Sequence, residues 1–181
     1  MIRMVKDRIK IIKGDITTIK CDAIVNAANK HLMPGGGVDG AIHSAGGPEI
    51  LSGCRKYISR HEELPIGDAM ISSAGRLPAK AVIHTVGPKV LGDVSKEDEQ
   101  LLRSAYRNVL HLAVEEGLKT IAFPNISTGI YGFPKGPASV SAFGEVVLFL
   151  RQHPAITTVY FVCHDDENYR LYTDLLEELA I

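Results

Sequence analysis

The sequence has few features of a secreted, membrane or metal-binding protein. Its three cysteines, Cys21, Cys54 and Cys163, lie far apart and form no CxxC pair, which argues against a disulfide framework and against a zinc site. The N-terminal stretch MIRMVKDRIKII has no apolar run long enough for a signal peptide. No segment approaches the ~20 apolar residues that a membrane span needs. We therefore expect a cytoplasmic protein without a membrane partner.

The chain also lacks a strong charge of either sign. It has 20 basic and 21 acidic side chains and a formal net charge of -1, so no global field would draw it onto nucleic-acid phosphates. Hydrophobic residues make up 45% and charged residues 23% of the chain, close to the globular average, which argues against disorder. We expect a monomer without a nucleic-acid partner, in which any phosphate binding is local.

Repeats, low-complexity tracts and Pro/Gly/Ser linkers are absent, which predicts one domain over residues 1–181. Short apolar runs predict strands at Ile9–Ile12, Ala23–Val25, Ala69–Ser72, Ala81–Val86, Thr120–Phe123 and Thr157–Cys163. Apolar residues at three- and four-residue steps predict helices at Val38–Ala45, Glu97–Glu116, from Pro137 onward, and around Leu171–Leu179. Strands that alternate with helices predict an α/β fold with a largely parallel sheet covered on both faces.

Two predicted strands lead into unusual loops, and ligands of such folds bind where loops leave the carboxyl ends of strands. The first loop contains Gly35, Gly36 and Gly37 before a helix, so bare backbone amides and the helix N-terminus can approach an anion. The second loop, Ser127–Gly132, offers hydroxyls and further amides. Each loop alone is equally consistent with a flexible turn, but the pair predicts a diphosphate held from both sides.

Two better-known phosphate motifs fit this glycine loop poorly. Gly35, Gly37 and Gly40 formally satisfy GxGxxG, the dinucleotide fingerprint of dehydrogenases. In that fingerprint the turn follows its strand at once, whereas NAANKHLMP intervenes here, and no ribose-binding acid ends a second strand about 20 residues later. No lysine follows in GK[ST] form, so the Walker pattern fails as well.

The polar residues around the first loop indicate whether this loop only binds an anion or also takes part in catalysis. A carboxylate beside a bound diphosphate can orient or activate water, which makes Asp39 a candidate, although helix capping is a serious alternative for it. Asparagine suits a ribose diol, but for Asn26 we favour capping of the strand-to-loop turn. His84 lies in an apolar strand and is predicted to be a hydrogen-bonded core residue. His43 could pair with Asp39 one helical turn away and is not assigned to catalysis.

Several segments, in this order, resemble a macrodomain of the MacroD type: GDIT, IVNAAN, GGGVDGAIH, HTVGP and FPNISTGIYGFP. The resemblance covers nearly the whole chain. It implies a three-layer α/β/α fold with a central, mostly parallel, mixed sheet flanked by helices. It further implies a hydrolase that binds ADP-ribose, removes mono-ADP-ribose from modified acidic side chains of proteins and deacetylates O-acetyl-ADP-ribose. Neither ester cleavage needs a metal or another cofactor.

The resemblance also implies roles for individual residues. Asn29 and Asp39 match the catalytic pair at the distal ribose, and Asp15 and Ile16 match the adenine contacts. The remaining implied ligand-binding residues are Gly36, Gly37 and Val38 on one side of the diphosphate, Ser127, Thr128, Gly129, Ile130 and Tyr131 on the other, and His164 at the adenine. His164 stands where relatives often carry a larger aromatic, and an imidazole stacks over less area, so we expect a lower adenine affinity.

Two other functions compete with hydrolysis. A reader module would bind ADP-ribose on partner proteins without cleaving it, and release of free ADP-ribose from a modified protein would distinguish the two. The presence of both Asn29 and Asp39 favours the enzyme, since binding alone does not require that aspartate. Nonspecific RNA binding would need a basic, aromatic-rich stripe, which the sequence lacks.

Overall fold

The computed structural model describes residues 4–180, in which strands and helices alternate along the chain. The strands are β1 (Ile9–Lys13), β2 (Cys21–Ala27), β3 (Ala69–Ser73), β4 (Ala79–Thr85), β5 (Thr120–Phe123) and β6 (Thr158–Cys163). The α-helices are α1 (Gly37–Gly46), α2 (Pro48–His61), α3 (Lys96–Glu115), α4 (Lys135–Gln152) and α5 (Asp166–Glu178). Short 3-10 turns precede β1 and β2 at Val5–Arg8 and Ile16–Thr18.

The six strands form one mixed sheet in the order β1-β6-β5-β2-β4-β3. Every neighbouring pair is parallel except β3 and β4, which run antiparallel at one edge. Because β5 and β2 are parallel neighbours at the centre, the loops that leave their carboxyl ends emerge side by side. This placement brings the two predicted anion loops together.

Helices cover both faces of the sheet, and each face has its own cluster of buried hydrophobic residues. Residues of α3, α4 and α5 pack with one set of strand side chains, and residues of α1 and α2 pack with the other set. Adjacent residues of β2 illustrate the division, since Val25 belongs to the first cluster and Ile24 to the second, and both are fully buried. The predicted α/β/α fold with a mostly parallel, mixed sheet is therefore confirmed.

The predicted elements agree with the structure to within a few residues, with one omission. Helix α2 was not predicted, although Ile50 and Cys54 occupy one face at a four-residue step and both are buried. Ser95 and Asp98 form a capping box at the start of α3, with both reciprocal bonds at 3.0 Å. Within residues 4–180 no helix is long and apolar enough to cross a membrane. The same residues contain no group of three or more His, Cys, Asp or Glu side chains that could hold a metal ion.

Candidate functional site

A cleft of about 750 Å³ lies where the loops after β2 and β5 leave the sheet. This volume is within the range of pockets that hold cofactor-sized ligands. Residues of both loops, of the turn after β1 and of the segment after β6 line it. The predicted site residues among its lining are Asp15, Ile16, Asn29, Gly36, Gly37, Val38, Asp39, Ser127, Thr128, Gly129, Ile130, Tyr131 and His164. One cleft thus brings together all of the predicted positions.

Asn29 shapes the loop that follows β2. Its Oδ1 accepts from the amides of His31 and Met33 at 3.1 and 3.3 Å, and its Nδ2 donates to the Met33 carbonyl at 2.7 Å. These bonds close the turn that leads into the glycines. An amide nitrogen carries two hydrogens, so Asn29 keeps one donor for a ligand in the cleft.

The glycine loop presents free backbone amides at the start of α1. The first amides of a helix have no intrahelical acceptor, and no described residue accepts from the amides of Gly36, Gly37 or Val38. Gly37 has φ of 57°, a left-handed conformation that favours glycine. Amide hydrogens and the helix dipole together create a local positive potential. The loop is therefore suited to an anion without any lysine or arginine.

The second loop offers a matching set of donors. Within residues 4–180, no group accepts a hydrogen bond from the backbone amides of Gly129, Ile130 or Tyr131. Ser127 has φ of 68°, which is uncommon for a residue with a side chain, and its buried Oγ has no hydrogen-bond partner among the described residues. Strained backbone and an unpaired buried hydroxyl on a cleft wall are typical of a ligand-binding loop. An anion between the two loops could accept from both.

Asp39 lies in the first turn of α1 with 6% of its surface exposed. Its Oδ1 accepts from Asn26 Nδ2 at 2.7 Å and lies 3.3 Å from His43 Nε2. Its Oδ2 accepts from the Gly35 amide at 2.8 Å. A β-carbon placed on Gly35 would lie 3.3 Å from Asp39 Oδ2 and 4.0 Å from Asn29 Nδ2, so both candidate catalytic side chains lie close to Gly35. Asp39 therefore braces the loop as a cap would and also borders the cleft.

The expectation that Asn26 caps the strand-to-loop turn is wrong. Asn26 is fully buried on β2, and its Nδ2 contacts Asp39 Oδ1 at 2.7 Å and His84 Nδ1 at 3.1 Å. Asn29 makes the turn contacts instead. The prediction for His84 is confirmed, because this fully buried residue also bonds Ser72 Oγ through Nε2 at 2.8 Å. The pairing of His43 with Asp39 is present as well.

His84 should make the stability of the protein depend on pH. Burial, with His43 nearby, lowers the pKa of His84 from 6.5 to about 3, so the folded protein keeps this ring neutral. Below pH 6.5 the unfolded chain binds a proton at this residue that the folded chain does not. The free energy of unfolding therefore decreases as the pH is lowered. We expect the free energy of unfolding to drop by about 2 kcal/mol between pH 7 and pH 5 from this group.

Urea unfolding at pH 7, 6 and 5 measures the effect. His84→Asn, which cannot gain a proton, should flatten the pH dependence in that range. His31→Gln is the matched control because His31 is exposed in a loop, and it should leave the slope of the wild type unchanged. An equal slope in wild type and His84→Asn would show that His84 titrates normally in the folded state.

The far end of the cleft lies between the turn after β1 and the segment after β6. Asp15 Oδ1 accepts from Thr17 N and Thr17 Oγ1 at 2.9 and 2.7 Å, which holds the pKa of this carboxyl below its ordinary value. No described residue donates to Asp15 Oδ2, so an exposed acceptor remains. Ile16 is buried beside it, and His164 is exposed across the opening. A flat apolar group with an amino substituent would suit this end.

Sequence reasoning missed further cleft residues near this end, namely Lys135, Asp165 and Asn168. Lys135 Nζ lies 3.5 Å from Asp165 Oδ2 and 3.2 Å from Glu167 Oε2, so its charge is matched by carboxylates. Asp165 caps α5 by accepting from the Asn168 amide at 2.7 Å. The signal for that cap was present in the sequence as an aspartate three residues before an asparagine at a helix start.

Comparisons with known proteins agree with this geometry. A family model described as the Macro domain matches residues 25–142. An O-acetyl-ADP-ribose deacetylase of Escherichia fergusonii is 53% identical over 173 residues, which cover 96% of this chain and 97% of the relative. The macrodomain of Oceanobacillus iheyensis with ADP has a TM-score of 0.90 at 38% identity, over 99% of this chain and 97% of that one. The Trypanosoma brucei macrodomain in complex with ADP-ribose has a TM-score of 0.85 at 38% identity, over 93% of this chain and 69% of that one. The chain therefore belongs to the macrodomain family.

Proposed function

We propose that this macrodomain binds ADP-ribose in the cleft and hydrolyses O-acetyl-ADP-ribose to acetate and ADP-ribose. The observation that carries the proposal is the position of Asp39 and Asn29 close to Gly35, next to the free backbone amides of both loops. An E. fergusonii relative named for this deacetylation is 53% identical, and a T. brucei macrodomain is seen in complex with ADP-ribose. The chain is thus an enzyme of the hydrolase class.

The two loops account for the diphosphate. Amides of Gly36, Gly37 and Val38 on one wall and of Gly129, Ile130 and Tyr131 on the other supply donors to the two phosphates. Tyr131 is half-buried, and burial together with the charge of Asp39 raises the pKa of its hydroxyl, so it stays a donor at neutral pH. Adenine then occupies the end formed by Asp15, Ile16 and His164. The distal ribose lies next to Asp39.

Hydrolysis needs a water molecule, a place for its proton and a fixed ester. Asp39 Oδ2 has one lone pair beyond its bond to the Gly35 amide, so it can accept a hydrogen bond from water. The water oxygen attacks the acetyl carbonyl carbon while the Asp39 carboxylate takes up a water proton, the bond from that carbon to the ribose oxygen breaks, and this proton passes to the ribose oxygen as acetate leaves. Asn29 donates its second amide hydrogen to a ribose hydroxyl. These contacts hold the ester in line with the water.

The same cleft suits a second class of ester. A mono-ADP-ribosylated glutamate or aspartate places a carbonyl on the same ribose, with the rest of the modified protein outside the cleft. The exposed side chain of Ile130 in the second loop leaves that side open to a protein substrate. We propose mono-ADP-ribosylated proteins as the second substrate class.

Calorimetry with ADP-ribose followed by a turnover assay with both esters tests the proposal. We expect one ADP-ribose bound per chain, and catalytic release of acetate from O-acetyl-ADP-ribose and of free ADP-ribose from a modified protein. Binding of ADP-ribose without release from either ester would identify a reader module instead. Release from the acetyl ester alone would restrict the enzyme to the small substrate.

Replacement of His164 by phenylalanine should tighten ADP-ribose binding. His164 is exposed at the adenine end, and a phenyl ring offers a larger apolar face for stacking than an imidazole. We expect the Kd for ADP-ribose to fall by about threefold to tenfold, which corresponds to ~0.5–1.5 kcal/mol of stacking. Calorimetry measures the change, and the Kd for ribose 5-phosphate, which has no adenine, should not move. A weaker ADP-ribose complex in His164→Phe would place adenine elsewhere.

A further inference from the structure

We propose that Asn26 is a positioning residue for hydrolysis: its side-chain amide, held between His84 and Asp39, fixes the Asp39 carboxylate so that Oδ2 faces the water. The inference rests on the proposed hydrolase function. It concerns a residue that lines no part of the cleft and acts only through Asp39. Asn26 and His84 are paired across β2 and β4, so the sheet itself sets their alignment.

The hydrogen bonds assign each proton in this buried chain. The Asp39 carboxylate can only accept, so the Asn26 atom 2.7 Å from its Oδ1 is the donor Nδ2. The other hydrogen of Asn26 Nδ2 is directed at His84 Nδ1 at 3.1 Å, so Nδ1 accepts and the proton of the neutral ring lies on Nε2. His84 Nε2 then donates to Ser72 Oγ at 2.8 Å, and Ser72 keeps its own hydrogen for the Ser73 carbonyl at 3.0 Å. Both hydrogens of the Asn26 amide are therefore used.

This assignment also fixes which way the Asn26 amide points. A flipped amide would place its oxygen 2.7 Å from the Asp39 carboxylate and against the bare Nδ1 of His84, where it would meet two acceptors. In the observed orientation Asn26 Oδ1 is buried and has no partner within residues 4–180. An unpaired buried oxygen destabilises a fold. Asn26 thus serves the Asp39 contact at a cost in stability.

The two carboxylate oxygens of Asp39 therefore have different surroundings. Oδ1 accepts from Asn26 Nδ2 at 2.7 Å and has the His43 ring nitrogen Nε2 3.3 Å away, so protein groups surround it. Oδ2 accepts one hydrogen bond, from the Gly35 amide, and keeps its second lone pair free at the loop that lines the cleft. Without Asn26, the carboxylate could rotate and turn its free lone pair away from the substrate.

The test compares Asn26→Ala with Cys54→Ala, a matched truncation at a buried residue whose Sγ lies 3.8 Å from His84 Nε2 but does not contact Asp39. For Asn26→Ala we expect kcat on O-acetyl-ADP-ribose to fall tenfold to 100-fold, with the Kd for ADP-ribose within about threefold of wild type. Cys54→Ala should keep both values. Unchanged kcat in Asn26→Ala, or equal losses in kcat and in ADP-ribose affinity, would overturn the proposal.

Asn26→Asp provides a second variant of the same shape if Asn26→Ala does not fold. Two adjacent carboxylates share a proton at low pH and repel each other when both are ionised. We expect kcat to be depressed at pH 8 and to recover toward acid pH, a recovery that the wild type, with its single carboxylate at this place, should lack. A pH profile parallel to that of wild type would overturn the proposal.

Other titrating groups near this pair are few, and most stay neutral. The groups around Asp39 on every neighbouring element are His43 on α1, Cys54 on α2, His84 on β4 and Tyr131 in the second loop. Burial raises the pKa of the Cys54 thiol to about 11 and lowers that of His84 to about 3. A recovery at acid pH that also appears in Asn26→Asp combined with His43→Gln therefore belongs to the two carboxylates.

A measurement without turnover separates this inference from the proposed function. ¹⁵N NMR should show His84 neutral with its proton on Nε2 at pH 7, and slow exchange of the Asn26 side-chain amide that becomes fast in Asp39→Ala. A proton on Nδ1, or the same exchange in Asp39→Ala, would refute the positioning network even in an active enzyme. An inactive wild type with the expected spectra would refute the hydrolase function and leave the network established.

Discussion

Replacing Asp39 with alanine should lower kcat for O-acetyl-ADP-ribose by about 1,000-fold, since a positioned acid or base contributes roughly 10²–10⁴ to a rate. Asp39 is the only carboxylate among the cleft residues that borders the glycine loop, whereas Asp15 and Asp165 lie at the adenine end. The diphosphate is held by amides and not by this side chain. The Kd for ADP-ribose should therefore change by less than about fivefold.

Steady-state release of acetate and calorimetry with ADP-ribose measure these two quantities. Asp39→Asn keeps the shape of the side chain and its place beside the Gly35 amide but cannot take up a proton as a carboxylate does, so it should be nearly as slow as Asp39→Ala. Glu49→Gln removes an acid from the first turn of the next helix, outside the cleft, and should leave kcat unchanged. A wild-type rate in Asp39→Asn would mean that this residue only holds the loop.

The parts of the site that the sequence could predict are those with local signals. Three glycines before a helix and a second glycine loop after a strand indicate anion cradles without knowledge of the fold. The rule that parallel strands place such loops at their carboxyl ends then brings the loops together. Asp39 and His43 were also predictable as a pair, since they lie one helical turn apart on α1.

The parts that could not be predicted depend on contacts between distant segments. Asn26 and His84 are 58 residues apart, and they meet because β2 and β4 pair in one particular register. A shift of the register by one residue would turn either side chain to the opposite face of the sheet. The sequence of β2 around Asn26 looks the same whether this residue caps a turn or points inward. Its bond to Asp39 therefore became visible only in the folded chain.

The direction of the edge strand β3 is set by the length of its connection and not by its own residues. Its five residues, Ala69–Ser73, have no pattern that distinguishes a parallel from an antiparallel partner. The direction follows from the short connection between β3 and β4, which leaves no room for a crossover helix. Ser72, whose Oγ lies 2.8 Å from His84 Nε2, is on this strand, so β3 supplies the hydrogen-bond partner at the far end of the chain of contacts that reaches Asp39.

Gly40→Ala should weaken ADP-ribose binding by more than about 100-fold, although Gly40 itself is not a predicted ligand contact. A β-carbon at this position would lie 2.5 Å from the Gly35 carbonyl oxygen and 3.6 Å from its carbon, so backbone must move. The displaced Gly35 peptide would carry the backbone amides that follow it in the glycine loop out of line with the diphosphate. Overpacking of this kind also destabilises a fold, typically by ~1–3 kcal/mol.

Gly136→Ala separates loss of the cleft geometry from a general effect of adding a methyl group. Gly136 lies in the first turn of α4, outside the cleft lining, and a β-carbon there would meet nothing within 4 Å. Alanine replaces glycine in a helix at a gain of up to ~1 kcal/mol, so this variant should be as stable as the wild type or more so, with an unchanged Kd. Calorimetry at a temperature where urea unfolding shows both variants folded gives the comparison. Wild-type affinity in a folded Gly40→Ala would mean that the Gly35–Gly37 peptide does not hold the diphosphate, because its amides cannot keep their directions once the Gly35 carbonyl has shifted.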